Sequence, residues 1–352
     1  MLTVLNVAYP LARVGPDAVG GAEQVLSALD RALVEAGHRS IVIAPEGSKV
    51  AGVLVATQRR TGPLDDAQRA QAQAVHRATI AMARVRWPVD VVHLHGVDFD
   101  AYLPEDGPTL VSLHLPLDWY RPEALRPARD DLWLHTVSAS QARSAAPGLR
   151  LHPPIPNGVD LDALRARHAR RAFALVLSRI CPEKGVHLAL DAARMADMPL
   201  LIGGEVYRYA AHERYFAREI APRLDQSRRF LGPLDFARKR RFLNAARCLV
   251  VSSLAAETSS LVAMEALACG TPVVAFPNGA LADLVDHGRT GFLVHDVEEM
   301  TEAMAAASTI DSALCRAQAR RRFPLSRTIA AYMDAYHALA RLGRYAVRRS
   351  SS

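Results

Sequence analysis

Residues 2–8 (LTVLNVA) form an apolar run, which predicts a strand buried on both faces. A loop ending in Gly20-Gly21 follows. Next comes a segment with apolar residues at Ala22, Val25, Leu26, Leu29, Leu33 and Val34, spaced by three and four as on one helix face, with a stop at Gly37. Residues 41–44 read as a second strand. A strand, a helix and a strand in that order form a parallel pair joined by a right-handed crossover. Such a sheet must be covered by helices on both faces, so the chain is confined to α/β architectures.

The alternation persists. Residues 66–86 read as a helix and 89–94, 109–113 and 132–137 as strands. Residues 151–160 (LHPPIPNGVD) carry three prolines and a glycine and read as a linker. A second series begins beyond it, with strands at 173–177, 200–202, 229–231, 248–252 and 272–276. Helices at 186–195 and 261–268 lie between these strands. The last helix has apolar positions at Ile329, Tyr332, Met333, Tyr336, Leu339 and Ala340. The expected fold is two doubly wound Rossmann-like α/β domains facing across a cleft. Their predicted spans are 1–155 and 156–325, with a final helix and tail at 326–352. Ligands of such sheets sit beyond the carboxyl ends of the strands.

The 352 residues are 50% hydrophobic and 22% charged, a globular balance that excludes disorder. The net charge of +7 raises a nucleic-acid or anionic-membrane partner. All but three basic residues are arginine, however, which reads as compositional bias more than a binding face. The lysines are Lys49, Lys184 and Lys239. Four separated cysteines (Cys181, Cys248, Cys269 and Cys315) with no CxxC pair predict buried thiols in a reducing compartment. The apolar start lacks a basic leader, and no stretch approaches the ~20 apolar residues of a membrane helix. A cytoplasmic protein is expected, at most peripheral to a membrane.

Four constellations carry chemistry. The first is ETSSLVAMEALACGTPVV, where Glu257 and Glu265 flank a predicted helix start at a strand's end. If all the intervening turns are helical, the rise between them is ~12 Å. One metal ion cannot hold both, but a nucleotide-sugar could span them. Its diphosphate would then meet the free amides and positive end of the helix. The plainer alternative is that Glu257 caps the helix and Glu265 is solvated. The second is SRICPEKG, where Arg179 and Lys184 leave a buried strand and suit a diphosphate. The third is Gly20-Gly21-Ala22-Glu23, which allows close backbone approach but does not match GxGxxG. In the fourth, His93 and His95 share a strand face, and His114 ends a strand. Two DxD pairs, Asp98/Asp100 and Asp160/Asp162, are read as chance matches, with Asp160 capping the segment after the linker.

Together these runs resemble glycosyltransferase family 4, the retaining nucleotide-sugar transferases of GT-B fold. GGAEQ, DVVHLH, His114, NGVD, SRICPEKG, the Glu-seven-Glu run ending CGTPVVAF, and DLVDHGRTGFLV occur in that family's order. The resemblance implies a hexosyltransferase-type enzyme that needs no cofactor and no metal, with a nucleoside diphosphate sugar as donor substrate. Gly20 and Gly21 would approach the donor phosphates or sugar. Arg179 and Lys184 would bind the diphosphate, together with Thr258, Ser259, Ser260, Leu261 and Val262 at the helix start. Glu257 would contact the transferred sugar, Glu265 the ribose, and His114 would lie near the reacting centre. The last helix would cross back to the N-terminal domain.

Two departures stand out: Thr258-Ser259-Ser260 where the family often has Gly-Phe-Gly, and Ser178 in place of a frequent glycine. EVYRYAAHERYF with ETSSLVAMEAL resembles a subgroup that includes an avilamycin-pathway transferase. The acceptor is expected to be a saccharide, a lipid-linked species or a small molecule, with no nucleic-acid partner. The competing readings are a nucleotide-sugar epimerase on the same fold, a dehydrogenase, and a basic membrane- or nucleic-acid-binding protein.

Overall fold

The computed structural model describes residues 1–58, 65–166 and 168–350, with side chains described as far as residue 343. The chain divides into two compact units. Unit 1 comprises Met1–Pro156 and Thr328–Ser352; unit 2 comprises Asn157–Arg327.

Unit 1 is built on β1 (Thr3–Val7), β2 (Arg39–Pro45), β3 (Val53–Thr57), β4 (Val91–Leu94), β5 (Thr109–Leu113) and β6 (Leu132–Thr136). All pair parallel in the order β3-β2-β1-β4-β5-β6. β1 and β4 are buried along their whole length, as their apolar runs require. The helix Gly21–Glu35 turns Val25, Leu26, Leu29 and Leu33 inward. β3 was not expected from the sequence. It is an edge strand with Val53 exposed, so it lacks the apolar contrast that marks a buried one.

Unit 2 repeats the design with β7 (Ala174–Leu177), β8 (Leu200–Gly203), β9 (Arg228–Phe230), β10 (Cys248–Val251), β11 (Val273–Ala275) and β12 (Gly291–Leu293). Their order is β12-β11-β10-β7-β8-β9, again all parallel. β12 and the helices Val297–Ala306 and Ser312–Arg322 were also missed. β12 has only three residues, and Ser312–Arg322 is polar apart from a few inward positions such as Cys315 and Ala319.

In each sheet the winding reverses once, between β1 and β4 in unit 1 and between β7 and β10 in unit 2. Loops from neighbouring strand ends separate at that point and leave room for a ligand. All four cysteines are free and buried. No described helix is long and apolar enough to cross a membrane.

Candidate functional site

Arg179 and the short turn Pro182–Lys184 follow β7, and residues 252–260 follow β10. The two segments are bonded through the backbone. The N–H groups of Leu254 and Ala255 donate to the Glu183 carbonyl at 2.9 and 3.2 Å. The Ser252 hydroxyl donates to the Lys184 carbonyl at 3.1 Å. Gly185 permits this closeness: its φ is +56°, and a Cβ there would lie 2.3 Å from the Ser252 carbonyl oxygen.

This docking delivers Lys184 to Glu257. The ammonium donates to Glu257 Oε1, which also accepts the Ser253 hydroxyl at 2.5 Å. The side chains retain only 23% and 13% of their exposure. Burial pushes the Glu257 carboxyl up, but Lys184, Ser253 and Arg179 outweigh it and hold the group below the usual carboxylate range. The Glu257 backbone is clamped as well. Its N–H donates to Asn278 O at 3.3 Å, and its carbonyl accepts from Ala280 N–H at 2.7 Å. Half-buried Arg179 forms no ion pair among the described residues, which leaves a cation at the same strand end.

The helix between the two glutamates runs Leu261–Ala268. It therefore starts four residues after Glu257. The expected ~12 Å helical rise does not apply, because the segment from Glu257 to Ser260 is not helical. Glu257 does not cap this helix: its backbone bridges to Gly279 and its carboxylate is taken by Lys184. Ser260 occupies the N-cap position at φ +48°, ψ 70°, a left-handed conformation that L side chains adopt at a cost, and makes no side-chain cap. Its Oγ is buried without a hydrogen-bond partner. Ser259 Oγ accepts from Asn157 Nδ2 at 2.8 Å. Thr258 is half-buried, and Leu261 and Val262 pack against the core. An uncapped helix start with a spare buried hydroxyl can receive an anion's oxygens.

Glu265 is 6% exposed and not solvated. It sits within an apolar helix, and Lys239 Nζ donates to its Oε1 at 2.6 Å from the helix Phe236–Ala245. Without that cation, burying the carboxylate would be prohibitive. Lys239 was missed as a site residue. Its signal was the one used for Lys184, a rare lysine retained in an arginine-rich chain.

Unit 1 places its candidates at its own switch point. Gly20 precedes the helix Gly21–Glu35, and Glu23 folds back over it: a Cβ on Gly20 would lie 1.9 Å from Glu23 Oε2. The nearest atoms to a Cβ there would be the end of the Glu23 side chain, and the φ of −79° does not itself call for glycine. Gly21 is the first residue of the helix.

His93 and His95 do share a face, with ring centroids 3.9 Å apart. His95 Nδ1 lies 3.0 Å from His114 Nε2, and the two rings are stacked. His93 belongs to a second chain of bonds whose direction can be deduced. His135 Nδ1 lies 3.0 Å from the Thr136 carbonyl, which only accepts, so Nδ1 carries the proton. Burial lowers the His135 pKa to about 4, so its Nε2 is bare and accepts from Ser112 O–H at 2.7 Å. Ser112 Oγ must then accept from Tyr332 O–H at 2.9 Å and from His93 Nε2–H at 2.8 Å. His93 Nδ1 in turn accepts from Tyr336 O–H at 2.7 Å. Tyr332 and Tyr336 lie on the helix Leu325–Ser350, which this network pins to the sheet.

The DxD pairs have other work. Asp98 accepts from Gln73 and Tyr102, Asp100 pairs with Arg121 at 3.1 Å, and Asp160 accepts from Ala163 N–H.

Residues 19–163 match the family model for Glycosyltransferase Family 4, and residues 172–309 match that for Glycosyl transferases group 1. The chain thus carries a Glycosyltransferase Family 4 domain followed by a Glycosyl transferases group 1 domain. It is 31% identical over 256 residues to the D-inositol 3-phosphate glycosyltransferase of Kribbella flavida, covering 65% of this chain and 59% of that protein. The Mycolicibacterium paratuberculosis protein of the same name is 33% identical, covering 71% of this chain and 59% of its own length. The chain thus spans about three-fifths of these curated relatives.

Among solved structures it resembles AviGT4, a glycosyltransferase involved in avilamycin A biosynthesis. The TM-score is 0.67 at 22% identity over 97% of this chain and 98% of that one. It also resembles Anabaena HepE in complex with UDP-glucose, with a TM-score of 0.71 at 18% identity over 95% and 100% of the two chains. The shared fold is GT-B.

Proposed function

We propose that the protein is a retaining glycosyltransferase that moves a sugar from a nucleoside diphosphate sugar to an acceptor hydroxyl without a metal ion. The observation that carries this reading is the Lys184–Glu257 pair, with Arg179 at the same strand end and an uncapped helix start four residues on. Arg179, Lys184 and the amides after Ser260, with Thr258, Ser259, Leu261 and Val262 shaping the turn, receive the diphosphate. Fixed positive groups stabilise the charge that grows on the departing phosphate oxygen, the task a divalent cation performs in other transferases. Glu257 meets the transferred sugar and Glu265 the ribose.

In the reaction the bond from the anomeric carbon to the phosphate oxygen breaks. The acceptor oxygen then bonds to the same face of that carbon, and the acceptor's proton passes to the leaving phosphate. No carboxylate nucleophile is required. The HepE complex with UDP-glucose supports a nucleoside diphosphate hexose as donor. The inositol phosphate relatives support a phosphorylated polyol as the first acceptor to try.

The test is a thermal-shift screen against nucleoside diphosphates and their sugars, followed by assay of nucleotide release with and without inositol phosphate. Ligand at 100 times its Kd adds about 2.7 kcal/mol, which a thermal scan resolves. Donor epimerised without transfer would favour the epimerase. The absence of any nucleotide-dependent shift would overturn the reading.

A further inference from the structure

We propose that Cys181, Glu183 and His212 form a binding site for one Zn2+-class divalent ion, with a fourth position open to water or an external ligand. Among the described residues this is the one cluster of three ligating side chains whose donor atoms all lie within 4.8 Å of one another. It goes beyond the transfer reaction, in which these three groups have no part.

The construction is local. Cys181 and Glu183 sit on the turn after β7, two residues apart and on either side of Pro182. His212 comes from the helix Ala210–Tyr215, in the connection after β8. Neighbouring parallel strands thus bring a thiol, a carboxylate and an imidazole together beyond their carboxyl ends. His212 Nδ1 is buried and has no hydrogen-bond partner. The Cys181 thiol bonds to the Glu183 carboxylate and makes a weak 3.9 Å contact with the Arg179 carbonyl. Thiol and carboxylate are therefore already in contact, with the His212 ring beside them.

The ligand chemistry selects the ion. Sulfur with imidazole nitrogen and one carboxylate oxygen suits zinc or cobalt, whereas magnesium and calcium prefer all-oxygen sets. Tetrahedral bonds of the usual lengths place such donors about 3.3–3.6 Å apart, so a movement of about 1 Å completes the site. A thiol must lose its proton to ligate, so metal binding there releases a proton. Arg179 is the nearby cation that opposes binding. An ion here would staple the loop bearing Arg179 and Lys184 to the segment after β8.

The experiment uses the untagged full chain, stripped with chelator and titrated with Co2+ and then Zn2+. The expected result is one Co2+ per chain with a thiolate-to-cobalt absorption band that Zn2+ abolishes. Zn2+ should raise Tm by about 5 °C. Both signals should vanish in Cys181→Ser and in His212→Ala. Cys181 is fully buried, so if Cys181→Ser does not fold, His212→Ala decides, because that residue is only half-buried. Absence of the band in the wild type, or a band unchanged in His212→Ala, overturns the site. Neither readout depends on sugar transfer, so failure here leaves the transferase reading untouched, and the reverse holds too.

Discussion

Lys239 Nζ lies 2.6 Å from Glu265 Oε1, with both side chains almost wholly withdrawn from water. Lys184 stands in the same relation to Glu257. Two of the three lysines in the chain are therefore spent on the two glutamates of one motif. Each carboxylate is paired and oriented before any ligand arrives, which lowers the ordering cost of binding.

The pairing predicts strong coupling. Lys239→Met should destabilise unit 2 by about 3 kcal/mol, because it strands a buried carboxylate. The double variant Lys239→Met/Glu265→Leu should recover much of that loss, since replacing both partners removes the unpaired charge. Denaturant midpoints of the two single variants and the double variant measure the coupling, expected at about 1–3 kcal/mol. Additive losses would show that the pair contributes nothing as a unit.

The two glutamates should differ kinetically. Ribose changes little between ground and transition states, so Glu265→Gln should raise the donor KM about tenfold with kcat within a few-fold. Bonding changes at the sugar end, so Glu257→Gln should lower kcat by about 10²–10³ while free nucleoside diphosphate still binds nearly normally. Steady-state kinetics with calorimetry on the nucleotide separate the two. The reverse pattern would mean the donor lies in the opposite sense along this segment.

Ser260 stores strain at the helix start. Glycine adopts φ +48° freely, so Ser260→Gly should leave stability unchanged or raise it by up to about 1 kcal/mol. Ser260→Val, β-branched and lacking the hydroxyl, should lower stability by about 2 kcal/mol or more. Urea midpoints test both. If the spare hydroxyl serves the diphosphate, Ser260→Gly should also weaken nucleotide binding.

Acid should loosen unit 1. Burial holds His93 and His95 well below their ordinary value, His114 at about 3 and His135 at about 4. Their unfolded forms bind protons near 6.5. Below that pH the unfolded chain holds more protons than the folded one, so stability is full above about 6.5 and falls as pH drops toward 4. Each such histidine removes about 1.4 kcal/mol per pH unit within that window. Urea midpoints at pH 7.5, 6 and 5 measure the slope, and His135→Gln should flatten it. A midpoint independent of pH would mean that the four rings are not buried neutral in solution.

Chelation should separate the two metal questions. Turnover is expected to survive excess EDTA if, as proposed, Arg179, Lys184 and the helix start supply the positive charge. Loss of activity in EDTA that Mn2+ restores would overturn the metal-free mechanism.

The period of the apolar residues was enough to read parallel α/β sheets, because a strand buried on both faces must be apolar throughout. β3 and β12 escaped that signal, since an edge strand and a three-residue strand need no such run. Order along the chain also sufficed to recognise SRICPEKG and the Glu-seven-Glu run, which fall on the loops after β7 and β10 and on the helix Leu261–Ala268. Which charges meet was decided only in three dimensions. Lys239 reaches Glu265 from 26 positions away, and Lys184 reaches Glu257 across 73. That the Glu23 side chain folds back over Gly20 could also be seen only in the folded unit. The bond directions running from Thr136 through Ser112 to Tyr336 join three strands and a helix far off in sequence. Local pattern records the burial and backbone needs of each segment, while partner choice depends on which strand ends the winding of the sheet sets side by side.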